Sequence, residues 1–230
     1  MFAQTISVAM VGAEARAVRI EAHVGRAKEA FTVVGLPDTS VREAKDRVRA
    51  AIISTGQEFP HRRVTVNLSP ANLPKAGSDY DLPIALGVLA AMGAVSNGTT
   101  RVVVAGELSL DGTVSRSRTA IGAAILASRR GLACLVAERD SAVAAQVPGA
   151  VVHPVSSLAE TAAVVAGTQP PRHPNLEAMT APEVLSDMSE VRGQPLARRA
   201  IEIAAAGGHH LLLVGSPGAG KTMHAQRLPG

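Results

Sequence analysis

The chain has 230 residues, a hydrophobic content of 47% and a net charge of +4, enough apolar material for one large domain or two modest ones. With no Trp, one Tyr and three Phe, its core must be built from Ala, Val, Leu and Ile. The single cysteine, Cys134, excludes an intrachain disulfide and a Cys-based metal cluster, while an isoelectric point near 9.8 admits a nucleic-acid partner without requiring one.

The N-terminus lacks the basic and continuous apolar regions of a signal peptide, and no stretch is long and uncharged enough to span a bilayer. A soluble, cytoplasmic protein without membrane contact is expected. Three β-rich runs, "FAQTISVAMVG", "AVRIEAHVG" and "FTVVGLP", come first, separated by turn-like breaks. The next run, "TSVREAKDRVRAAIISTG", predicts an amphipathic helix with Thr39 or Ser40 as N-cap and Gly56 closing its end. Val41, Ala44, Val48, Ala51 and Ile52 fall along its buried face. A strand "RRVTVNLSP", a largely buried helix "YDLPIALGVLAAMG" and a strand "RVVVAGELSLDG" entering a turn follow. A helix at 119–130, a strand at 132–137, a short helix at 139–146, a strand at 150–153 and a helix at 156–166 complete the run. Cys134 lies in the apolar "GLACLVAE" and reads as a buried strand residue. Residues 1–167 therefore predict an α/β domain with a mixed sheet and helices against it.

Residues 168–186 hold Pro170, Pro171, Pro174 and Pro182. Proline lacks a donor N–H and resists both helix and sheet, which predicts a linker. A second unit then spans 187–230. In "GQPLARRAIEIAAAGG" a helix with Leu196, Ala200, Ile203 and Ala204 on one stripe is expected, and "HHLLLVG" reads as a short buried strand.

Directly after it, Gly215-Ser216-Pro217-Gly218-Ala219-Gly220-Lys221-Thr222 fits the phosphate-loop pattern G-x-x-x-x-G-K-[ST]. Glycines let the backbone curl so that successive N–H groups face phosphate oxygens, and the following helix adds its partial positive charge. Lys221 would reach the β- and γ-phosphates of ATP, and Thr222 would present its hydroxyl to Mg²⁺. Hydrolysis also needs an acidic strand and groups that orient water, which lie downstream of such loops. Eight residues follow Thr222, so this stretch by itself is not expected to complete an ATPase site.

Three segments resemble the ComM subfamily of magnesium-chelatase-like AAA+ ATPases: "VVGLPDTSVREAKDRVRAAI", "VTVNLSPANLPKAGSDYDLPIALGVLAA" and "DMSEVRGQPLARRAIEIAAAGGHHLLLVGSPGAGKTMHAQRLPG". The resemblance implies a Lon-protease-like two-layer α/β domain over 1–167, followed by the first helix, strand and P-loop of an AAA+ module truncated after that loop. It further implies ATP and Mg²⁺ as cofactors, a homo-hexamer, and DNA as partner of a motor for branch migration in recombination and natural transformation. A metal-insertion ATPase and a non-catalytic remnant are the alternatives. Ser216 stands where the family usually has a second proline. His224 replaces an apolar residue and is expected to disturb the packing of the helix after the loop.

In Lon itself a serine is activated by a lysine. The resemblance places Asp79 at the serine position and Ile121 near the lysine position; Ser78 is adjacent but is expected to lack a base, so no catalytic residue is assigned. Asp79 and Asp81 flank Tyr80 at a helix start and read as capping groups. "REAKDRVR" reads as a solvated helix face, and "PHRRVTV" and "RSRT" as ordinary basic surface. His61, His153, His173, His209 and His210 lack metal-ligand spacing.

Overall fold

The computed structural model describes residues 1–95, 98–176 and 187–228, in two compact units, Met1–Leu176 and Glu177–Gly230. The first is built on a seven-stranded sheet. Its opening hairpin pairs β1 (Phe2–Val11) with β2 (Glu14–Val24) in antiparallel register from Phe2↔His23 to Val11↔Glu14. The other strands are β3 (Ala30–Val34), β4 (Arg63–Ser69), β5 (Val102–Val104), β8 (Ala133–Ala137) and β9 (Val151–Val155). Their order is β3-β4-β2-β1-β5-β8-β9. β2 meets β1 and β4 antiparallel, and every other neighbouring pair is parallel, so the sheet is mixed as its strand spacing implies. A two-stranded ribbon, β6 (Glu107–Leu108) with β7 (Val114–Ser115), lies outside it.

The period-2 pattern decides which face each half of the sheet buries. In β2, Val18, Ile20, Ala22 and Val24 are buried while Arg19 and His23 are exposed, so the second face is covered only at the Ala15–Ala17 end, where α3 packs. The cover is α1 (Thr39–Ser54) and α2 (Asp81–Met92), which form a two-layer arrangement with β1 to β4. Strands β5 and β8 are buried on both faces, and α3 (Ala120–Arg130) and α4 (Glu138–Ala144) pack on the second face there. Helix α5 (Leu158–Ala166) joins α2 on the first face. Cys134 is fully buried on the α3 side, where desolvation pushes its thiol up to about 12.

Helix α1 buries the five residues that its periodicity selects. Its N-cap, however, is Asp38, one residue before those expected; a carboxylate oxygen accepts the Val41 N–H at 2.8 Å. Helix α2 is apolar almost all round because it contacts the sheet below and α1 and α5 beside it.

Residues 168–176, expected as free linker, belong to the first unit. Arg172 bonds Glu160 at 2.6 Å and Glu138 at 3.1 Å, and its carbonyl meets His153 Nδ1 at 3.0 Å. Pro182 and the rest of 177–186 lie outside the described residues.

The second unit contains α6 (Pro195–Gly207) and α7 (Lys221–Gln226). The expected buried strand over "LLLV" is not formed: 211–214 has no sheet partner among the described residues, and Leu212 and Val214 are 84% and 85% exposed. A strand of this composition needs neighbours to satisfy its backbone, and the described residues of this unit present none. Of the expected α6 stripe only Ala204 is buried and Ala200 half-buried, while Leu196 and Ile203 are exposed; Ile201, outside that stripe, is buried instead.

One glycine fixes the close approach of β3's end to β4. Gly35 has φ +98°, and a Cβ there would sit 2.1 Å from the Leu68 carbonyl oxygen. Gly35→Ala should therefore cost roughly 3 kcal/mol in urea unfolding, whereas Gly12→Ala, at φ +59° with open space around it, should cost about 1 kcal/mol.

Candidate functional sites

The loop over 215–220 runs directly into α7, and its backbone follows from its glycines. Gly218 and Gly220 have φ of +82° and +76°, which side-chain-bearing residues resist, and no atom lies within 4 Å of a Cβ placed on Gly218. Lys221 Nζ donates to the carbonyls of Gly215 and Ser216 at 2.8 and 2.7 Å, so its ammonium sits over the loop. No carboxylate pairs with it among the described residues. Pro217, Ser216 and Thr222 are exposed, and Ala219 is half-buried. A turn closed by the Ala219 N–H on the Ser216 carbonyl completes the loop.

His224, expected to disturb this region, anchors it instead. It is 1% exposed, and its Nδ1 donates to the Gly220 carbonyl at 2.8 Å, leaving Nε2 enclosed without a partner. Gln194, in the left-handed region at φ +49°, donates its side-chain amide to the Ala219 carbonyl at 3.1 Å. Arg227 bonds the Met223 carbonyl and reaches Glu190 at 2.8 Å. The segment before α6 is thus tied to the loop and to α7. Nothing in the composition marks Gln194 for this role; the glycine before it was the visible signal.

The donor set suits an anionic phosphate chain. An ammonium with no carboxylate partner among the described residues, the first N–H groups of a helix and open space above Gly218 all favour negative charge.

A second concave site, of about 670 Å³, lies in the first unit where the Lon-like reading places its chemistry. Its wall includes Asp38, Glu43, Arg47, Ser78, Asp79 and Glu107. Ser78 does have an acidic neighbour, because its hydroxyl donates to the Glu107 carboxylate. No lysine serves it: Ile121 is exposed, and Lys75 is turned into the protein, bonded to the carbonyls of Gly35 and Pro70.

Asp79 and Asp81 do not cap α2, contrary to their sequence position. Asp79 accepts the Arg118 N–H at 3.2 Å, and burial raises its pKa. Asp81 is fully buried and paired with Arg47 at 2.6 and 3.1 Å. Both carboxylates face donors from other elements, which outcompete their own helix's N–H groups. Arg47 is accordingly a partner of the core and not part of a solvated face. Arg116 of "RSRT" pairs with Asp140 at 2.9 Å. Among the described residues, no group of three His, Cys, Asp or Glu side chains is arranged to hold a metal ion.

Two family models match the chain, both for the magnesium-chelatase subunit ChlI, over residues 20–140 and 187–230. YifB of Salmonella typhimurium is 40% identical over 223 residues, covering 96% of this chain and 44% of the relative. The competence protein ComM of Haemophilus influenzae is 36% identical over 232 residues, covering 97% and 45%.

The chain belongs to the ComM/YifB subfamily of the magnesium-chelatase ChlI family. It spans about half the length of the curated ComM and YifB relatives it matches. The ChlI match over 20–140 includes α1, the 74–80 segment, Glu107 and Arg116, which supply most of the wall of the 670 Å³ cavity. No helix among the described residues is long and apolar enough to cross a membrane.

Burial pushes Asp81 from 3.8 up to about 6, against the downward pull of Arg47. Between those values the folded chain holds a proton that the unfolded chain releases, so this group's contribution to stability falls as pH rises through the window. Urea unfolding between pH 4 and 6 should show that slope, and Asp81→Asn should flatten it.

Proposed function

We propose that this chain binds Mg·ATP through residues 215–222 and serves an ATP-driven motor acting on DNA, of the branch-migrating kind. The observation that carries the reading is the position of Lys221, whose ammonium lies on the loop's own carbonyls at the start of α7 with no carboxylate among the described residues to neutralise it. ATP bound there would supply the polyphosphate and, on hydrolysis, the driving energy. Lys221 would exchange its two carbonyl contacts for phosphate oxygens, and Thr222 would turn its exposed hydroxyl to Mg²⁺. Gly218 and Gly220 keep the backbone open to the phosphates, while Gln194 and His224 hold the carbonyls of Ala219 and Gly220 facing away.

The DNA half of the proposal draws on the relative whose name is competence protein ComM. Assembly into a homo-hexamer belongs to the same reading. The exposed Leu196, Ile203, Leu212 and Val214 are consistent with it, since this apolar surface calls for cover by further protein. A cytoplasmic location also belongs to this reading, because ATP and DNA are both found there.

Titration of a fluorescent ATP analogue with Mg²⁺ tests the cradle. Saturable binding is expected, weakened by about tenfold or more in Lys221→Ala. Thr222→Ala should lose most of the Mg²⁺ dependence and less of the affinity for nucleotide alone. Equal binding by the parent and the Lys221→Ala chain would reject the proposal.

A further inference from the structure

The outer edge of β1 loses its neighbour where the acidic cavity begins. Met1 and Val24 exchange N–H···O bonds in the β1–β2 register, at 2.7 and 2.8 Å, so the odd-numbered residues of β1 direct their backbone groups to β2. The even-numbered ones turn theirs to the other side, as the Gln4 carbonyl does in accepting the Thr99 hydroxyl at 2.6 Å. There β5 pairs at one position only, Ile6↔Val103. Continued, that register would set Ala105 beside Val8 and Glu107 beside Met10. The chain departs instead: the Gly106 N–H donates to the Asp79 carbonyl at 3.0 Å, and on this side no strand among the described residues pairs with β1 beyond Ile6. The N–H and C=O of Met10, a residue 38% exposed, thus lie at an open strand edge beside the 670 Å³ cavity, whose wall includes Ala9 and Met10.

The charge of that cavity is unbalanced. Asp38, Glu43, Asp79 and Glu107 line it together with Arg47, Arg116 and Arg118. Two of these arginines are neutralised by carboxylates outside the lining, Arg47 by Asp81 at 2.6 Å and Arg116 by Asp140 at 2.9 Å. Arg118 is then the one cation of the lining left to offset four carboxylates. Glu43 and Glu107 form no salt bridge among the described residues. The negative excess remains when Asp79, whose burial raises its pKa, is counted as protonated. Among the described residues no three acidic or His side chains converge to hold a metal ion, so the excess is spread along the cavity. A spread negative wall suits a long organic cation.

We infer that the cavity takes an extended peptide segment, added as a strand to the Met10 edge of β1, with a lysine or arginine side chain directed among Glu43, Asp79 and Glu107. In such strand addition the main-chain bonds supply affinity and the side-chain pocket supplies specificity. The two-residue period of a strand then fixes the pattern recognised. Neighbours of the basic residue turn to the opposite face of the sheet, where the Met10 side chain packs so closely on α3 that a Cβ at Gly122 would sit 2.3 Å from its Sδ. Apolar neighbours fit there, which gives an apolar–basic–apolar sequence. The inference concerns the first unit alone and depends on neither the nucleotide nor the DNA half of the proposal above.

The test is fluorescence anisotropy of a labelled, N-acetylated peptide of alternating valine and lysine, about six residues long like an ordinary strand, with the full chain. Saturable binding is expected, weakened by about tenfold or more when Glu43→Gln and Glu107→Gln are combined. The same peptide with glutamate in place of lysine should not bind. Only alternate peptide N–H groups can face β1, so N-methylation at the lysines and N-methylation at the valines should differ: one set removes binding and the other keeps most of it. This comparison needs no change to the protein and holds whatever the double variant does to the fold. Lys221→Ala should bind the peptide like the parent, so failure of the nucleotide cradle and failure of this site read separately. Absence of saturable binding, equal affinity of the two methylated peptides, or displacement by spermidine as readily as by unlabelled peptide would overturn the inference. So would parental affinity in the double variant.

Discussion

A single buried ammonium ties the first unit's loops together. Lys75 is fully enclosed, and its Nζ donates to the carbonyls of Gly35 and Pro70, one from the loop after β3 and one from the loop after β4. Its backbone continues the tie, with the Lys75 N–H on the Leu36 carbonyl and the Asp38 N–H on the Lys75 carbonyl. Asp38 then uses one carboxylate oxygen to cap α1 and the other to accept the Gly77 N–H. A buried charge without a counter-ion is costly, and burial lowers the lysine's pKa accordingly; two carbonyl dipoles offset much of that cost. The consequence is positional. Helix α1 and the turn at Ser78–Tyr80 are set around the acidic cavity by this tie, which includes one of the cavity's own wall residues, Asp38.

The two units differ in how completely they close. In the first, α2 is covered on nearly every side and β5 and β8 on both faces, so most of the unit's Val, Leu and Ile side chains are buried within it. In the second, two helices enclose Val191, Ile201, Ala204 and His224, and little else is hidden. The phosphate loop is thus held by polar clasps, through Gln194, His224 and Arg227, and not by a sheet beneath it. Clasps of this kind position carbonyls without using the loop's own N–H groups, of which Ala219's alone closes a turn among the described residues, and this suits an anion-binding turn.

Much of the fold was legible because it rests on local periodicity. The buried stripe of α1 and the alternation in β4 follow directly from residue spacing. The phosphate loop was equally legible, since its glycines and lysine are contiguous. What sequence spacing could not supply were contacts between distant segments. Asp81 meets Arg47 across 34 positions, and Ser78 meets Glu107 across 29. Lys75 gave one faint signal, being one of four lysines in an arginine-rich chain. The "LLLV" run misled for a physical reason: its composition specifies burial, but burial of a strand requires neighbours that composition cannot provide.

The central claim is that the first unit closes its own core while the phosphate loop is shaped by a few polar clasps and waits on an anion. Amide hydrogen exchange of the whole chain, with and without Mg·ATP, tests it most directly. Protection in β1, β2, β8 and α2 should approach that of global unfolding in both conditions. The amides of 211–222 should exchange freely alone and slow on adding nucleotide. Strong protection of 211–214 without nucleotide, or no change in 215–222 with it, would contradict the account.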